Sequence, residues 1–566
     1  MDRSVNTILA PLRELGEYED ILRQLNTQQG KVSVSGCVDS QKLHMIYGLS
    51  GDYDVKLIVT YSDMKAKELL DDCKLYCKES YYFPAKDLIF YQADIHGNQL
   101  TKERVAVLRK LLEGEPITIV TTFSALMAHQ LPLSVWKENV IEIAQGGIAE
   151  EAAIARKLVE MGYEKNYQVE SPGQFSIRGG IVDIFDLTRE NPVRIELWGD
   201  EVESIRSFDI ESQRSIENMT QVSIYPATEL ILSKKALEDG LARMEKDCKK
   251  SAAFFREETK PEEAHRLEQS VAELKEQVTQ FQSFVNLESY IGYFYEETQS
   301  LVDFVAGRKL CICLDEPARI EEHANAVELE FRESMSTRAQ KVYILPGQMD
   351  VLYGAKEIYA RLEKNRLLAL STMEYKGFPV KFANRYTVNA RNVSSYNNSF
   401  PELVKDLNHY KKNGYRVLLV SASATRAKRL ATDLMDEGLN AFYSDNSQRE
   451  LQPGEIMTFY GNVLKGFEYP MLKFVVISES DIFGKQNRKK KKKKVYEGQK
   501  IRDFSDLKIG DYVVHENHGL GIYKGIEKVE VDKVVKDYIK IEYRDGGNLY
   551  ILATGLDVIQ KYASAD

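Results

Sequence analysis

The octapeptide at 36–43, which follows a β-rich run at 31–35, is the segment most similar to a phosphate-binding loop. In the pattern GxxxxGK[ST], the second glycine lets backbone amides turn toward the phosphates, and the final hydroxyl binds Mg²⁺. Gly36 and Lys42 keep their places, but Gln41 replaces the second glycine and Leu43 replaces the hydroxyl residue. Because Lys42 cannot replace an amide nest and a metal ligand, we predict a degenerate nucleotide loop without ATP or magnesium.

A pair of acids, Asp315 and Glu316, follows an apolar run at 310–314. Acids at such a strand end bind Mg²⁺ and orient an attacking water in phosphoryl-transfer enzymes. The alternative is a strand that ends in two solvated carboxylates, and the degenerate loop favours this alternative. We predict that the chain is not an enzyme. No metal site is predicted either, since the cysteines lack zinc spacing and His515 and His518 have no third ligand nearby.

The elements around the loop follow the order strand, loop, helix, and β-rich runs alternate with helical periodicity through the first 129 residues. That alternation predicts a parallel sheet covered by helices. We predict a multidomain α/β protein with an inserted α+β domain, a second small α/β domain and a C-terminal SH3/Tudor-like β-barrel. The predicted segments are 1–129, 130–228 (the insert), 229–348 (a helical second part of the first domain), 349–484 (the second α/β domain), 485–500 (a basic linker) and 501–566 (the barrel).

The charge balance favours protein partners. The chain has 76 Lys and Arg against 86 Asp and Glu, a net charge of −10, and an acidic body does not favour gripping DNA along its length. Seven consecutive basic residues at 488–494 are either a solvated tether or a contact to DNA phosphates. Without a signal-peptide pattern or an apolar stretch of about 18 residues, and with sparse cysteines, the chain is expected in the cytoplasm.

One strand of the insert, at 193–198, carries a candidate binding face. Strand alternation places its apolar residues on one face and Arg194, Glu196 and Trp198 on the other. Arginine and tryptophan are residue types that carry interface energy. The alternative is that Trp198 covers the edge of its own core while Arg178 and Arg194 pair with acids such as Glu196 or Asp183.

The order of these segments resembles the bacterial transcription-repair coupling factors. The resemblance rests on the degenerate loop, FSIRGGIVDIFD, PVRIELWGDEVESIRSFD, CICLDEP and VVHENHGLGIYKGI, and it covers essentially the whole chain. It implies a RecA-like first domain with a UvrB-homology region over the first 345 residues, a domain of unassigned role at 365–484, and a polymerase-interacting domain shared with CarD-type regulators. Members of that family continue into an ATP-dependent double-stranded DNA translocase whose motifs this chain lacks.

The resemblance implies a non-catalytic adaptor for nucleotide excision repair of transcribed-strand damage. It places UvrA contacts at Arg178, Arg194 and Trp198, and contact with the RNA polymerase β subunit at Val529, where strand addition to a sheet edge is the expected mode. Val529 in the barrel core is the alternative. No cofactor, no membrane and at most weak DNA binding are expected. The competing functions are an ATP-dependent UvrB-like repair helicase and a CarD-like transcription regulator.

Overall fold

The computed structural model describes residues 6–86, 98–280, 287–484, 498–500, 507–515, 519–531, 534–543, 548–552 and 559–562. These residues form sheets of seven, six, two, six and six strands. Among the helices described, none has the length and apolar character needed to cross a membrane. All six cysteine side chains are buried.

The N-terminal segment alternates strands and helices as predicted. Its strands are rich in β-branched residues and are almost wholly buried, which is typical of a parallel sheet covered by helices on both faces. Its elements are α1 Asn6–Leu9, a 3-10 helix Ala10–Glu14, α2 Tyr18–Leu25, β1 Lys31–Ser35, α3 Gln41–Leu49, β2 Val55–Thr60, α4 Asp63–Tyr76, β3 Ser80–Phe83, α5 Asn98–Glu113, β4 Ile117–Thr122, α6 Phe123–Met127 and α7 Leu133–Glu138.

The insert is a six-stranded sheet, in the order β11-β10-β9-β8-β7-β6, beside a helix and a two-stranded sheet of β12 and β5. Its elements are β5 Ile141–Ala144, α8 Glu151–Glu160, β6 Glu164–Lys165, β7 Gln174–Arg178, β8 Ile181–Ile184, β9 Val193–Trp198, β10 Glu201–Phe208, β11 Ser215–Met219 and β12 Gln221–Ile224. In β9, Val193 and Ile195 are buried against α8 as the alternation predicts.

After the insert the chain adds a long helical hairpin and completes the first sheet. The elements are α9 Lys234–Glu257, α10 Pro261–Gln280, a 3-10 helix Leu287–Tyr290, α11 Ile291–Phe294, α12 Leu301–Val305, β13 Leu310–Asp315, α13 Pro317–Gln340, a 3-10 helix Pro346–Met349, α14 Ala355–Glu363, β14 Leu367–Leu370 and β15 Asn384–Thr387. All strands of this sheet run parallel, in the order β15-β1-β14-β13-β2-β4-β3.

The first lobe, defined as this seven-stranded sheet with its helices, therefore extends beyond 349, where the sequence placed a boundary. Strand β14 lies between β1 and β13, near the middle of the sheet. Its four apolar residues are too few for periodicity to assign them to a sheet.

The second lobe, defined as residues 391–483, is a six-stranded sheet in the order β16-β20-β21-β17-β19-β18. Its elements are β16 Arg391–Asn392, α15 Phe400–Lys412, β17 Arg416–Ser421, α16 Ala424–Asp436, β18 Ala441–Tyr443, β19 Ile456–Tyr460, β20 Phe467–Tyr469, a 3-10 helix Pro470–Leu472, β21 Phe474–Ser478 and α17 Glu479–Phe483.

The C-terminal module is a mostly antiparallel sheet in the order β22-β27-β23-β24-β25-β26. Its strands are β22 Gly498–Lys500, β23 Tyr512–His515, β24 Gly519–Val531, β25 Val534–Glu542, β26 Asn548–Leu552 and β27 Ile559–Tyr562. A barrel of short strands was predicted here. Strand β24 has 13 residues, and within the described ranges no pairing joins the two edge strands, β22 and β26, as closure of a barrel would require.

Candidate functional site

The amides of the degenerate loop are bonded within the protein. Gly36 has a positive φ of 77°, and a Cβ there would collide with the carbonyl oxygen of Val388, so glycine is required. Three successive amides donate to protein oxygens: Gly36 to the Thr372 carbonyl (3.2 Å), Cys37 to the Ser371 carbonyl (3.0 Å) and Val38 to Oε1 of Gln41 (3.0 Å). Groups that would form an anion nest in a working phosphate loop are thus committed to the fold.

The side chain of Lys42 is buried in an ion cluster. Its Nζ lies 2.6 Å from Oδ1 of Asp315 and 2.6 Å from Oε1 of Glu316, and Lys42 is only 5% exposed. Thr60 donates a further hydrogen bond to Asp315 at 2.7 Å. The reading of Asp315 and Glu316 as solvated acids is therefore wrong. Burial opposes the charge on Lys42, but attraction to the two carboxylates outweighs it and raises the pKa of Lys42 to about 12.

Gln41 and His44 bind a tyrosine of the second lobe. Nε2 of Gln41 donates to the Tyr469 hydroxyl at 2.7 Å, and Nδ1 of His44 lies 2.9 Å from the same hydroxyl. Since Nε2 of His44 donates to the Ile8 carbonyl at 2.8 Å, Nδ1 accepts from Tyr469. Burial lowers the pKa of His44 to about 4, which keeps this ring neutral. Leu43 is fully buried among apolar side chains.

A second contact between the lobes is built on the buried carboxylate of Asp72 in α4. It accepts from the Ser40 hydroxyl at 2.6 Å and from the Leu464 amide at 2.7 Å. The Lys465 amide donates to Ser40 Oγ at 3.1 Å, and Nζ of Lys465 binds Asp39 at 2.9 Å. Burial raises the pKa of Asp72 to about 7, although the hydrogen bonds from Ser40 and Leu464 oppose the rise.

We expect Asp72→Asn to stabilise the protein at alkaline pH. The folded pKa of Asp72 lies above its ordinary value of 3.8, so the native state binds the proton more tightly than the unfolded state and loses stability as pH rises toward 7. Asparagine keeps an acceptor for Leu464 and a donor for Ser40 but has no charge. The shift from 3.8 to about 7 corresponds to a gain of at most about 4 kcal/mol at about pH 8, and the gain should vanish below about pH 3. Thermal unfolding across this pH range measures it, and a gain independent of pH would contradict the assignment.

On the insert, one buried carboxylate orients both predicted arginines. Asp183 accepts from Nε and Nη2 of Arg194 at 2.7 and 2.8 Å, and from Nη2 of Arg178 at 3.1 Å. Gln213, at a positive φ of 56°, accepts a further bond from Arg194 at 2.9 Å. The pairing with Asp183 that the sequence left open is therefore present. Arg178 is 36% exposed and Arg194 only 14% exposed, so Arg178 is the more accessible of the two arginines on the outer face of the sheet.

Trp198 does not cover its own core: it ends β9 and is 80% exposed. Across the adjacent hairpin it pairs with Glu201, which pairs in turn with Ile148. Ile148 is equally exposed, and so is Tyr167, whose ring lies 5.7 Å from the Arg178 guanidinium. The outer face therefore combines oriented arginines with bare apolar side chains, which is the composition of an interface centre.

In the C-terminal module, Val529 lies in the distal half of the long strand β24 and pairs with Lys536 of β25. The pairings with β23 end at Ile522, so within the described ranges the stretch Gly525–Val531 is paired along one edge alone. The side chain of Val529 lies outside the part of the structure that is described, as do the basic run at 488–494 and His518. No group of three or more metal-ligating side chains occurs among the described residues.

Two family models match the chain. The UvrB interaction domain matches residues 141–230, and the CarD-like/TRCF RID domain matches residues 507–563. The chain is similar to the transcription-repair-coupling factor of Bacillus subtilis, with 32% identity over 98% of the chain and 47% of that protein. The corresponding factors of Staphylococcus epidermidis and Staphylococcus aureus are 28% and 27% identical, over 91% and 99% of the chain and 44% and 47% of those proteins. The chain thus spans about half the length of the curated relatives that it matches.

Sequence reasoning missed the polar residues that join the two lobes. His44, Asp72 and Tyr469 lie in no recognisable motif. The hydroxyl of Tyr469 binds His44 and Gln41 of α3, which lie 425 and 428 positions earlier in the sequence. The signal that was present is the polarity of α3, a helix that carries Gln, Lys and His yet is buried along most of its length.

Proposed function

We infer that the chain, which belongs to the transcription-repair-coupling factor family, is a non-catalytic adaptor region that joins RNA polymerase to UvrA. The observation that carries this proposal is the outer face of the insert, where an exposed Trp198 shares the face with two arginines that are oriented by Asp183. That face lies within the segment that matches the UvrB interaction domain. Co-purification of the chain with UvrA, and separately with the polymerase β subunit, tests the two halves of the proposal. Failure to retain UvrA would favour a CarD-like regulator that acts through the C-terminal module alone.

The arginines supply the charge that UvrA would recognise. Asp183 uses only part of the hydrogen-bonding capacity of Arg178 and Arg194, and each guanidinium has five N–H groups. Arg194 gives three of its donors to Asp183 and Gln213, so the remaining donors of Arg178 are the ones that suit bidentate binding of a carboxylate on UvrA. Asp183 fixes the direction of both side chains before binding, which lowers the entropy cost of association.

The C-terminal module binds the polymerase β subunit by strand addition at the open edge of β24. Backbone hydrogen bonds supply affinity in that mode, and the stretch Gly525–Val531 has an edge available for them. Exposed apolar side chains lie near this edge, namely Ile509, Tyr512 and Ile526. We propose that the module's sheet closes into an SH3/Tudor-like barrel, since the sequence at 501–566 alternates β-rich runs with Gly-containing turn signals.

We expect Val529→Arg to weaken polymerase binding by about a hundredfold or more, because a charge at the centre of the added-strand contact would be desolvated without a partner. Binding to the purified polymerase β subunit, measured by titration, checks the loss. Far-ultraviolet circular dichroism of the variant serves as the folding control. A variant that fails to fold would instead place Val529 in the core of the module.

This region takes no part in nucleotide hydrolysis. The loop amides and Lys42 already bind protein groups, and Leu43 offers no ligand for magnesium. ATP-driven translocation by the family belongs to parts of the relatives that this chain does not span.

We expect the double variant Gln41→Gly, Leu43→Thr to remain without saturable Mg·ATP binding up to about 1 mM, the upper end of weak specific binding. Restoring the pattern residues frees the Val38 amide from Gln41, but it leaves the Gly36 and Cys37 amides bonded to residues 371–372 and Lys42 bonded to two carboxylates. Calorimetric titration of the wild-type and variant chains measures this. Binding by the variant would show that the two replaced residues alone silence the loop, and binding by the wild type would support a UvrB-like helicase.

A further inference from the structure

The second lobe has helices of its own on one face of its sheet only. In β17, Val417 and Leu419 point to the side covered by α15 and α16, where they pack in one apolar cluster. Leu418 and Val420 point to the opposite side and belong to a cluster that includes α3 of the first lobe. A sheet of mainly parallel strands must bury both faces. The first lobe supplies the helical layer that the second lobe lacks.

Helix α3 is consequently enclosed by two sheets. Its apolar residues Leu43 and Ile46 share a cluster with Val34 of the first sheet and with Phe467 and Phe474 of the second. A helix in that position has no solvated face, so each polar side chain on it requires a partner inside the protein. Lys42 finds its partners in the first lobe, whereas Gln41 and His44 find theirs in Tyr469 of the second lobe.

The contacts of the second lobe fall on the end of the degenerate loop, on the first turn of α3 and on α4. We call Ser40, Gln41, His44 and Asp72 the seat, and residues 464–469 the plug. The plug meets the seat through four hydrogen bonds: Gln41 and His44 with the Tyr469 hydroxyl, the Leu464 amide with Asp72, and the Lys465 amide with Ser40. In nucleotide-driven switches, segments that contact the γ-phosphate are ordered by it and released on hydrolysis. Here every group of the seat is satisfied by protein.

We propose that the seat, which includes the end of the degenerate loop, is a permanent binding site for the second lobe. The replacement of glycine by Gln41 then has a positive role, since the side chain that spoils phosphate binding is the one that holds Tyr469. The second lobe then acts as a brace, meaning a fixed cover over α3 that holds the degenerate loop in one conformation. This inference is independent of UvrA and polymerase binding and can fail or succeed without them.

Hydrogen exchange of the full chain, followed by mass spectrometry, tests the brace. In the wild type, we expect amides of α3 to exchange no faster than those of β17, because the seat is exposed only when the second lobe unfolds. Adding Mg·ATP should leave these rates unchanged. Exchange in α3 at about a hundredfold the rate of both β13 and β17 would overturn the proposal, since the seat would then open while both sheets stay folded.

Two tyrosine variants separate docking from folding. Tyr469→Ala removes the plug contact, and we expect α3 to exchange about tenfold faster than β17 in that variant. Tyr396→Ala is the matched control: Tyr396 is also buried in the second lobe, but it packs on that lobe's own helices. In Tyr396→Ala, the amides of α3 should exchange no faster than those of β17, because both are exposed by unfolding of the second lobe. Faster exchange of α3 than of β17 in Tyr396→Ala, or equal exchange of the two in Tyr469→Ala, contradicts the proposal.

Discussion

Lys42→Met is expected to lower the free energy of unfolding of the first lobe by about 3–5 kcal/mol, the usual cost of removing one partner from a buried ion pair. The variant keeps the aliphatic stem of the side chain but leaves Asp315 and Glu316 without their counter-ion. Both carboxylates lie at the end of β13, close to the middle of the sheet. Calorimetry of thermal unfolding measures the loss as a shift in the transition of the first lobe.

The effect should be constant through the neutral range. The attraction of Lys42 holds the pKa of Glu316 below its ordinary value of 4.5, against burial, and the pKa of Lys42 is raised above 10.5. Stability from a lowered acid is lost only as pH falls through the folded pKa, and stability from a raised lysine only as pH rises through its folded pKa. Between the ordinary values of 4.5 and 10.5, Glu316 and Lys42 stay charged in both the folded and the unfolded chain.

A triple variant provides the control. Adding Asp315→Asn and Glu316→Gln to Lys42→Met removes the uncompensated charges, and most of the lost stability should return. If Lys42→Met alone unfolds like the wild type, water must reach the two carboxylates, and the buried cluster does not hold the strand ends together.

Trp198→Ala is expected to weaken UvrA binding by about 2–4 kcal/mol, or roughly 30-fold to 1,000-fold in Kd. Tryptophan buries a large apolar area when it enters a partner's pocket, and Trp198 is 80% exposed in the free chain. Since it contributes little to its own core, the substitution should leave the thermal unfolding midpoint unchanged. Titration with purified UvrA measures the change in affinity.

The choice of variants on this face follows from Asp183. Arg178→Ala leaves Arg194 bonded to Asp183 through two hydrogen bonds, so its effect on UvrA affinity reports on the interface. Arg194→Ala, or the double arginine variant, removes the main partner of a buried carboxylate and destabilises the insert as well. Tyr460→Ala, another exposed aromatic, lies on the second lobe and should bind UvrA like the wild type. Equal losses for Tyr460→Ala and Trp198→Ala would contradict the proposed surface.

The sequence alone determined much about this protein. Gln41 and Leu43 depart from the nucleotide-loop pattern at the second glycine and at the hydroxyl residue, and the alternation in β9 placed Arg194 and Trp198 away from the core. The order of segments predicted a parallel-sheet lobe, an insert and a C-terminal β-rich module. These features are local, because strand alternation, helical periodicity and loop chemistry depend on neighbouring residues.

Only the tertiary structure decided what the buried polar groups bind. Lys42 meets acids 273 and 274 residues away, and Gln41 meets a hydroxyl 428 residues away. The tertiary structure also placed β14 and β15 in the first sheet and packed α3 against the face of the second lobe's sheet that its own helices leave uncovered. The physical reason is that pairing of parallel strands and burial of a sheet face join segments distant in sequence, and no local pattern encodes which distant segment arrives.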